Sequence, residues 1–323
     1  MFDVKKMVEE ITSKKEINNI SFTGVGGSLA CFYAPYYYVT REAKNVTTSY
    51  TSSNEFVHDT PSCITENSIV VISSRGGNTA ETVEAGRVAK KLGATVVGMT
   101  HEEGENGITE VSDYVILFKD LSEDVYEVSK TGYILQIAIE TLHQVENTGK
   151  YDEMMAAVKK MNEIVPAAEK AIVPEAIKFS IDFKDDNVIY TMGSGTSWSA
   201  AQQQQICILM EMQWINSSVI HTGEFFHGPF EITNPDTAFL LLKSSGKTRV
   251  KIISQAQICY ITKQYIGCHK ALRHLYQHTL RLIQITYQYY LRGDFCQFPH
   301  QFILINSCRT INSKNTIFFY LTL

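Results

Sequence analysis

Three short β-branched stretches, each followed by a polar, glycine-containing turn and then a helical pattern, constrain the fold of this 323-residue chain most strongly. They are residues 19–23 (NISFT), Ser68–Ser73 (SIVVIS) and residues 187–192 (NVIYTM). Continuous apolar strands of this length are typical of parallel sheets buried on both faces. Strands alternating with helices predict a doubly wound α/β fold, in which ligands bind beyond the carboxyl ends of the strands.

The first two turns carry groups suited to an anion. Gly24, Gly26, Gly27 and Ser28 precede a helix predicted from Leu29. Such a turn points backbone N–H groups and a helix N-terminus at a ligand. The G-x-G-x-x-G spacing fails, so this is not the dinucleotide fingerprint. Glycine turns are also common without a ligand, so the first turn alone leaves a ligand role open.

The second turn, SRGGNT, follows the strand Ser68–Ser73 and precedes a helix predicted over residues 80–92. Ser74, Arg75, Gly76 and Thr79 offer two hydroxyls, a guanidinium and a backbone unobstructed by a side chain. Thr79, with acidic Glu81 close behind it, suits the start of a helix. These groups together are suited to binding a phosphate.

The pattern of strand, glycine turn and helix recurs after the middle of the chain, which indicates an internal duplication of one α/β module. The break Asn147-Thr148-Gly149 predicts the domain boundary. Helical sequence resumes over residues 151–183, with interruptions expected near Pro166 and Pro174. The other elements are predicted as strands over residues 46–50, 95–100, 114–118, 218–220 and 238–242, and as helices over residues 1–18, 53–58, 125–145 and 199–211.

The stretch 210–231 (MEMQWINSSVIHTGEFFHGPFE) concentrates acidic residues and histidine. Glu211 closes the predicted helix, while Glu224 and His227 are three residues apart, so one helical turn would place both on one face. A carboxylate and an imidazole are the usual groups for moving protons near neutral pH. An ordinary helix N-terminus, with Glu224 complementing the dipole and His227 at the surface, explains the spacing equally well.

The amino-acid composition limits which kinds of protein this chain can be. Hydrophobic residues make up 44% and charged residues 20%, which is ordinary for a globular chain, and the net charge of -5 argues against nucleic acid as a partner. No apolar run is long enough to cross a membrane, and the N-terminus does not resemble a secretory signal. The seven cysteines are an odd number, and none of those before residue 250 is paired by spacing, which predicts a reduced, cytoplasmic protein.

The last part of the chain differs from the rest. From Lys251 onward Asp294 is the only acidic residue, whereas basic residues recur and Tyr, Ile, Gln, Cys and His are frequent. The α/β alternation is also lost. We interpret residues 250–323 as an atypical tail that arose from a frameshift near residues 247–250. Re-sequencing the gene tests this hypothesis, and an intact frame encoding the same tail would refute it.

The loops SRGGNTAET, GSGTSWSA and GEFFHGPFE resemble those of the sugar isomerase (SIS) family of phosphosugar-binding proteins, over roughly residues 15–249. The resemblance implies two tandem SIS modules, each a parallel sheet flanked by helices in a flavodoxin-like three-layer sandwich. The first occupies residues 1–149 and the second, truncated, residues 150–249. The segments LMEMQW and VIHTGEFFHGPFEI are most similar to fructosamine-6-phosphate deglycases. The isomerase half of glucosamine-6-phosphate synthase is a more distant relative.

By position, the resemblance implies proton transfer by Glu211 with His227 as its acid–base partner. It implies substrate binding by Ser28, Ser74, Arg75, Gly76 and Thr79, with Glu224 organising its turn. The family usually has a second serine where this chain has Gly76, which removes one hydroxyl. The isomerase relatives carry a lysine where this chain has Ile208, which counts against an aminosugar isomerase.

The implied activity is cleavage of a 6-phosphorylated fructosamine, of the fructoselysine 6-phosphate type, to glucose 6-phosphate and a free amino acid. No cofactor or metal is required, and the implied assembly is a homodimer in which the histidine acts on the neighbour's site. Two alternatives remain, an aldose–ketose isomerase of aminosugar phosphates and a non-catalytic phosphosugar-binding protein. A damaged, inactive gene product is a further alternative because of the tail.

Overall fold

The computed structural model describes residues 1–119, 125–233, 237–242 and 248. The chain divides into two compact units, Met1–Asn162 and Glu163–Leu323. The hypothesis about residues 250–323 lies outside the described residues. Within the described part of the chain, no helix has the length and apolar character needed to span a membrane.

The first unit is a parallel sheet with helices between its strands. Its strands are β1 (Asn19–Gly24), β2 (Tyr50–Ser52), β3 (Ser68–Ser73), β4 (Thr95–Thr100) and β5 (Tyr114–Leu117). Its helices are α1 (Val4–Lys14), α2 (Gly26–Glu42), α3 (Ser53–His58), α4 (Ala80–Lys91), α5 (Gly107–Val111) and α6 (Lys130–Glu146), with a 3-10 turn at Tyr126–Val128.

The strand order is β2-β1-β3-β4-β5, and every neighbouring pair is parallel. The chain moves outward in one direction from β1 to β2 and in the other from β3 to β5. Because such crossovers are right-handed, α2 and α4 lie on opposite faces of the sheet. This order is flavodoxin-like, and its direction reverses between β1 and β3. The predicted α/β fold with a parallel sheet flanked by helices is confirmed for this unit.

Alternation along the strands builds the core on one face of this sheet. Val70 and Ile72 of β3 and Val96 of β4 pack in one cluster with Val83 of α4 and Ile108 of α5. Residues two apart on a strand face the same side, so the intervening residues face the other helical layer. All six residues of β1, β3 and β4 are buried, as expected of strands covered on both faces.

The second strand begins later than the sequence predicts. Residues 46–50 were expected to form it, but β2 spans Tyr50–Ser52 and Thr47 makes only an isolated bridge. The backbone N–H of Ser49 donates to the Ser21 hydroxyl at 3.1 Å instead of to a backbone carbonyl of β1. A side chain of the neighbouring strand β1 therefore interrupts the backbone ladder between Thr47 and β2.

The second unit contains a smaller parallel sheet in the order β7-β6-β8. The strands are β6 (Val188–Gly193), β7 (Asn216–His221) and β8 (Ala238–Leu241). The helices are α7 (Tyr151–Phe183), which begins in the first unit, α8 (Ser197–Gln203), a π-helix (Gln204–Met212) and a 3-10 turn (Pro229–Ile232). Phe239 and Leu241 pack with Phe225, whereas Leu240 packs in a separate cluster, so both faces of β8 are buried.

One prediction about the helices in this part was wrong. Helix α7 is continuous and contains both Pro166 and Pro174. Each proline removes one backbone hydrogen bond, at a cost of about 3 kcal/mol. Burial of apolar residues such as Val165 and Ile172 on both sides of the prolines offsets this cost. The predicted helix over residues 199–211 is confirmed, as α8 to Gln203 and as a π-helix from Gln204 onward.

The turns after β1 and β6 share one construction. Each strand ends in a glycine, Gly24 or Gly193, and a second glycine follows two residues later. Gly26 and Gly195 adopt left-handed φ values of 53° and 58°, which favour glycine because it lacks a Cβ. The repeated spacing in the sequence therefore corresponds to a repeated backbone conformation.

Candidate active site

The N-terminus of α2 is open to a ligand. Its capping position is Val25, whose side chain cannot accept a hydrogen bond, and no side-chain cap is present. Within the described residues, the N–H groups of Gly26 and Gly27 have no partner. Ser28 lies half-buried in this first turn, and its own N–H donates to the Val25 carbonyl at 3.1 Å. The orphan donors and the Ser28 hydroxyl form one half of the candidate phosphate site.

The N-terminus of α4 is open in the same way. Thr79 occupies the capping position, but its side chain makes no cap hydrogen bond. Its hydroxyl instead lies 2.8 Å from the hydroxyl of Ser74, which also accepts the Thr79 N–H at 3.3 Å. Ser74 is buried, Thr79 half-buried, and Arg75 and Gly76 are exposed on the loop between them. The first and last residues of this loop thus bond to each other, and the N-terminus of α4 is left without a side-chain cap.

Among helices α1 to α6, the other four are capped by their own sequence. Side chains at the capping positions of α1, α3, α5 and α6 each accept a first-turn N–H, and these are Asp3, Ser52, Asn106 and Ser129. The two uncapped helices are those that follow the adjacent strands β1 and β3. Their open N-termini therefore lie where the strand order reverses, the usual ligand position in such a sheet. Unsatisfied N–H groups and the helix dipole favour an anion there.

Glu211 lies in the π-helix, one residue before its end, and its side chain is exposed. The N–H of Gln213 donates to the carbonyl of Ile208, five residues earlier, at 3.0 Å. This wider spacing turns Glu211 away from the direction an α-helix would give it. π-Helices are rare and occur frequently at functional sites. The Ile208 side chain is buried, so it contributes packing and no polar group.

Glu224 and His227 lie in consecutive turns after β7, and the predicted helical turn is absent. The N–H of His227 donates to the Glu224 carbonyl at 2.9 Å, which keeps the two residues one turn apart. Gly228, with φ of 140°, and Pro229 prevent this turn from continuing as a helix. In the described part of the chain, the side chains of Glu211, Glu224 and His227 form no ion pair or hydrogen bond, and all three are exposed.

Two asparagines that support the candidate phosphate loop escaped the sequence analysis. Asn78 accepts a hydrogen bond from the N–H of Gly107 at 2.8 Å, and Asn106 caps α5 through Ile108 and Thr109. The sequence signal for Asn106 is the Asn-x-x-Thr of a capping box. The contact of Asn78 crosses between two loops, so no local pattern indicates it.

Known proteins share this architecture and sequence. A family model for the SIS domain matches residues 15–131. Fructosamine deglycase FrlB of Bacillus subtilis strain 168 is 34% identical over 247 residues, which span 76% of this chain and 75% of the relative. Fructoselysine 6-phosphate deglycase of Escherichia coli K12 is 22% identical over 246 residues, which span 76% and 71%.

A solved structure extends the similarity to the fold. A crystal structure from Salmonella typhimurium LT2, of a protein provisionally named a phosphosugar isomerase, is 42% identical with a TM-score of 0.76. The match covers 81% of this chain and 78% of that chain. The resemblance drawn from the loop sequences is thereby confirmed, and the chain belongs to the SIS-domain family.

Proposed function

We propose that this protein is a fructosamine-6-phosphate deglycase. The substrate is a fructosamine of the fructoselysine 6-phosphate type, and the products are glucose 6-phosphate and a free amino acid. Two relatives reported above carry deglycase names, one of them at 34% identity. The reaction has to bind a phosphate and move protons between two adjacent carbons, and each requirement is met by a different group of residues.

The observation that carries the proposal is the pair of uncapped helix N-termini after β1 and β3. A phosphate dianion accepts hydrogen bonds from such N–H groups and is attracted to the positive helix ends. Ser28, Ser74 and Thr79 add hydroxyl donors, and Arg75 adds a positive charge. The backbone N–H of Gly76 contributes in place of the serine that the family usually has. Binding of this remote phosphate holds the sugar in place for the reaction.

Proton transfer is assigned to Glu211 and His227. The Glu211 carboxylate removes a proton from C1, which carries the amine, while the C2 carbonyl oxygen gains a proton and an enaminol forms. Return of the proton from Glu211 to C2 produces a protonated imine at C1, and water hydrolyses it to the aldose and the protonated amine. His227 serves ring opening and the oxygen protons. Glu224 shapes the turn that carries His227.

One residue favours the deglycase over an aminosugar-phosphate isomerase. The isomerase relatives carry a lysine where this chain has Ile208, and here the Ile208 side chain is buried. A buried aliphatic side chain cannot handle a substrate proton or amine. These side chains therefore support the deglycase reaction, which uses only Glu211 and His227 for proton transfer.

Two features of the architecture belong to the proposed enzyme. The second unit contains a second SIS module within residues 150–249, supported by its parallel sheet and by the glycine turn that matches the one after β1. The protein assembles as a homodimer in which His227 acts on the neighbour's substrate. Exposed apolar side chains beside His227, those of Phe226, Phe230 and Ile232, support contact with a second subunit.

The test is to incubate the purified protein with fructoselysine 6-phosphate and to assay glucose 6-phosphate. We expect release that falls about 100-fold to 10,000-fold in Glu211→Gln and in His227→Ala, because each removes a general acid–base group. Unphosphorylated fructoselysine should react far more slowly. Conversion of an aminosugar phosphate without amine release would favour the isomerase, and phosphate-ester binding without turnover would favour a binding protein.

A further inference from the structure

The candidate phosphate loop, residues 74–79, is held in shape by a neighbouring segment, residues 100–108. The Arg75 carbonyl accepts hydrogen bonds from the Thr100 hydroxyl and the His101 N–H, both at 3.1 Å. The Gly77 carbonyl accepts the N–H of Ile108 at 2.9 Å. Two carbonyls of the loop are therefore fixed toward the same neighbour.

This arrangement decides where the loop's donors point. In a trans peptide the carbonyl and the next N–H point in opposite directions. Fixing the Arg75 and Gly77 carbonyls therefore turns the N–H groups of Gly76 and Asn78 away from residues 100–108. Neither N–H has a partner among the residues that the structure describes. Two unpaired N–H groups held parallel by such a loop form an anion-binding concavity.

Two asparagine side chains lock the loop against this segment. Asn78 Oδ1 accepts the N–H of Gly107 at 2.8 Å, and Asn78 Nδ2 donates to the Gly76 carbonyl at 3.3 Å. Asn106 lies directly against Gly77, where an added Cβ would be 2.4 Å from Asn106 Cγ. Asn106 cannot move aside, because its Oδ1 accepts the N–H groups of Ile108 and Thr109 at 3.1 and 3.2 Å.

We propose that Asn78 and Asn106 are positioning residues for the substrate phosphate. They hold residues 76–78 against residues 100–108, so that the N–H groups of Gly76 and Asn78 face the anion. Neither asparagine side chain needs to touch the substrate. This inference rests on the proposed function, because it concerns the same phosphate site and adds the residues that determine its shape.

The test measures binding of glucose 6-phosphate and of inorganic phosphate by calorimetry, together with KM and kcat on fructoselysine 6-phosphate. Asn78→Ala and Asn106→Ala should each weaken binding of both anions by about tenfold, the loss expected when a hydrogen bond to a charged group is misaligned. KM should rise by a similar factor, while kcat changes less because Glu211 and His227 are untouched. Asn106→Ser should restore much of the affinity, since serine also caps α5.

Asp3→Ala is the matched control. Asp3 caps α1 by accepting the N–H of Lys6 at 2.9 Å, and α1 is not one of the helices that flank the phosphate loop. Its loss should lower the melting temperature as much as Asn106→Ala does and leave anion affinity unchanged. Asparagine variants that bind both anions as tightly as the wild type would overturn this inference alone. A wild-type protein that binds neither anion would overturn the proposed function as well.

Discussion

The hydroxyl groups of Ser74 and Thr79 lie 2.8 Å apart, and this contact takes Thr79 away from the helix that it would otherwise cap. A threonine at the capping position normally accepts an N–H from the first helical turn. Here the helix α4 gives up that bond, and Ser74 accepts the Thr79 N–H instead. The N-terminus of α4 therefore stays available to a ligand. The missing cap lowers local stability, as expected at a functional site.

Thr79→Val should raise KM for a phosphorylated fructosamine by about tenfold to a hundredfold. The change keeps the shape of the side chain and removes a hydroxyl that hydrogen-bonds a charged group, an interaction of about 1.5–3 kcal/mol. Initial-rate kinetics with fructoselysine 6-phosphate measure it. Binding of unphosphorylated fructoselysine should be unaffected.

Thr82→Val, one turn further along α4, controls for stability. The hydroxyls of Thr82 and Ser53 lie 3.0 Å apart and are buried, so this variant leaves one buried hydroxyl unpaired. It should lower the free energy of unfolding by about 1–3 kcal/mol and leave KM unchanged. An equal rise in KM in both variants would contradict a specific role for Thr79.

Gly76→Ser should strengthen phosphate binding and lower KM by about twofold to tenfold, because it restores a hydroxyl donor. A Cβ at Gly76 would meet no atom within 4 Å, so the loop has room for the new side chain. Gly77→Ser is the comparison, since Gly77 has φ of 73° and a Cβ there would collide with Asn106. Urea denaturation should show that Gly77→Ser is destabilised and Gly76→Ser is not. A higher KM for Gly76→Ser would refute the prediction.

Mixing two inactive variants tests whether His227 acts on the neighbouring subunit. When equal amounts of Glu211→Gln and His227→Ala subunits reassemble at random, half of the dimers contain one subunit of each kind. In each mixed dimer one site receives both intact groups, so about a quarter of the wild-type activity should return. Glucose 6-phosphate release after joint refolding measures this recovery. A mixture that stays as inactive as its components would place both groups in one subunit.

Glu146 predicts a pH dependence of stability. Burial raises the pKa of its carboxyl, but hydrogen bonds from the N–H groups of Lys44, Asn45 and Val46 together bring the pKa below its usual value. A carboxylate with a lowered folded-state pKa stabilises the fold above its unfolded-state pKa of about 4.3. This contribution disappears as pH falls through the folded-state value.

The difference in unfolding free energy between wild type and Glu146→Gln should therefore be largest near neutral pH and shrink as the solution is acidified below about pH 4.3. Urea denaturation at a series of pH values measures it. A difference that stays constant across the series would contradict the assigned hydrogen bonds.

Local sequence was sufficient for much of the first unit. The strands Ser68–Ser73 and Thr95–Thr100 and the helix Ser53–His58 form where the sequence predicts them. The sequence patterns that predict these elements are short-range, because apolar runs and capping residues determine structure within a few residues of the chain. The turn that begins with Ser74 was likewise visible as a polar interruption between a buried strand and a helix.

Predictions failed where distant or cumulative contacts outweighed local preference. The Ser21 hydroxyl of β1 accepts the Ser49 N–H, so regular pairing of β2 starts four residues later than its β-branched sequence suggests. Packing along α7 outweighs the tendency of Pro166 and Pro174 to break a helix. The spacing of Glu224 and His227 suggested a helix, but Gly228 and Pro229 limit the segment to turns.

The sequence by itself determined the alternation of buried strands and helices, the glycine turns and the residue types at the candidate site, because these depend on neighbours in the chain. The tertiary structure alone decided the strand order that puts the turns after β1 and β3 side by side. It also decided which carbonyls of residues 74–79 are held by residues 100–108, and hence which N–H groups face outward. Contacts between segments some 25 residues apart depend on how the sheet is assembled, and no local pattern encodes them.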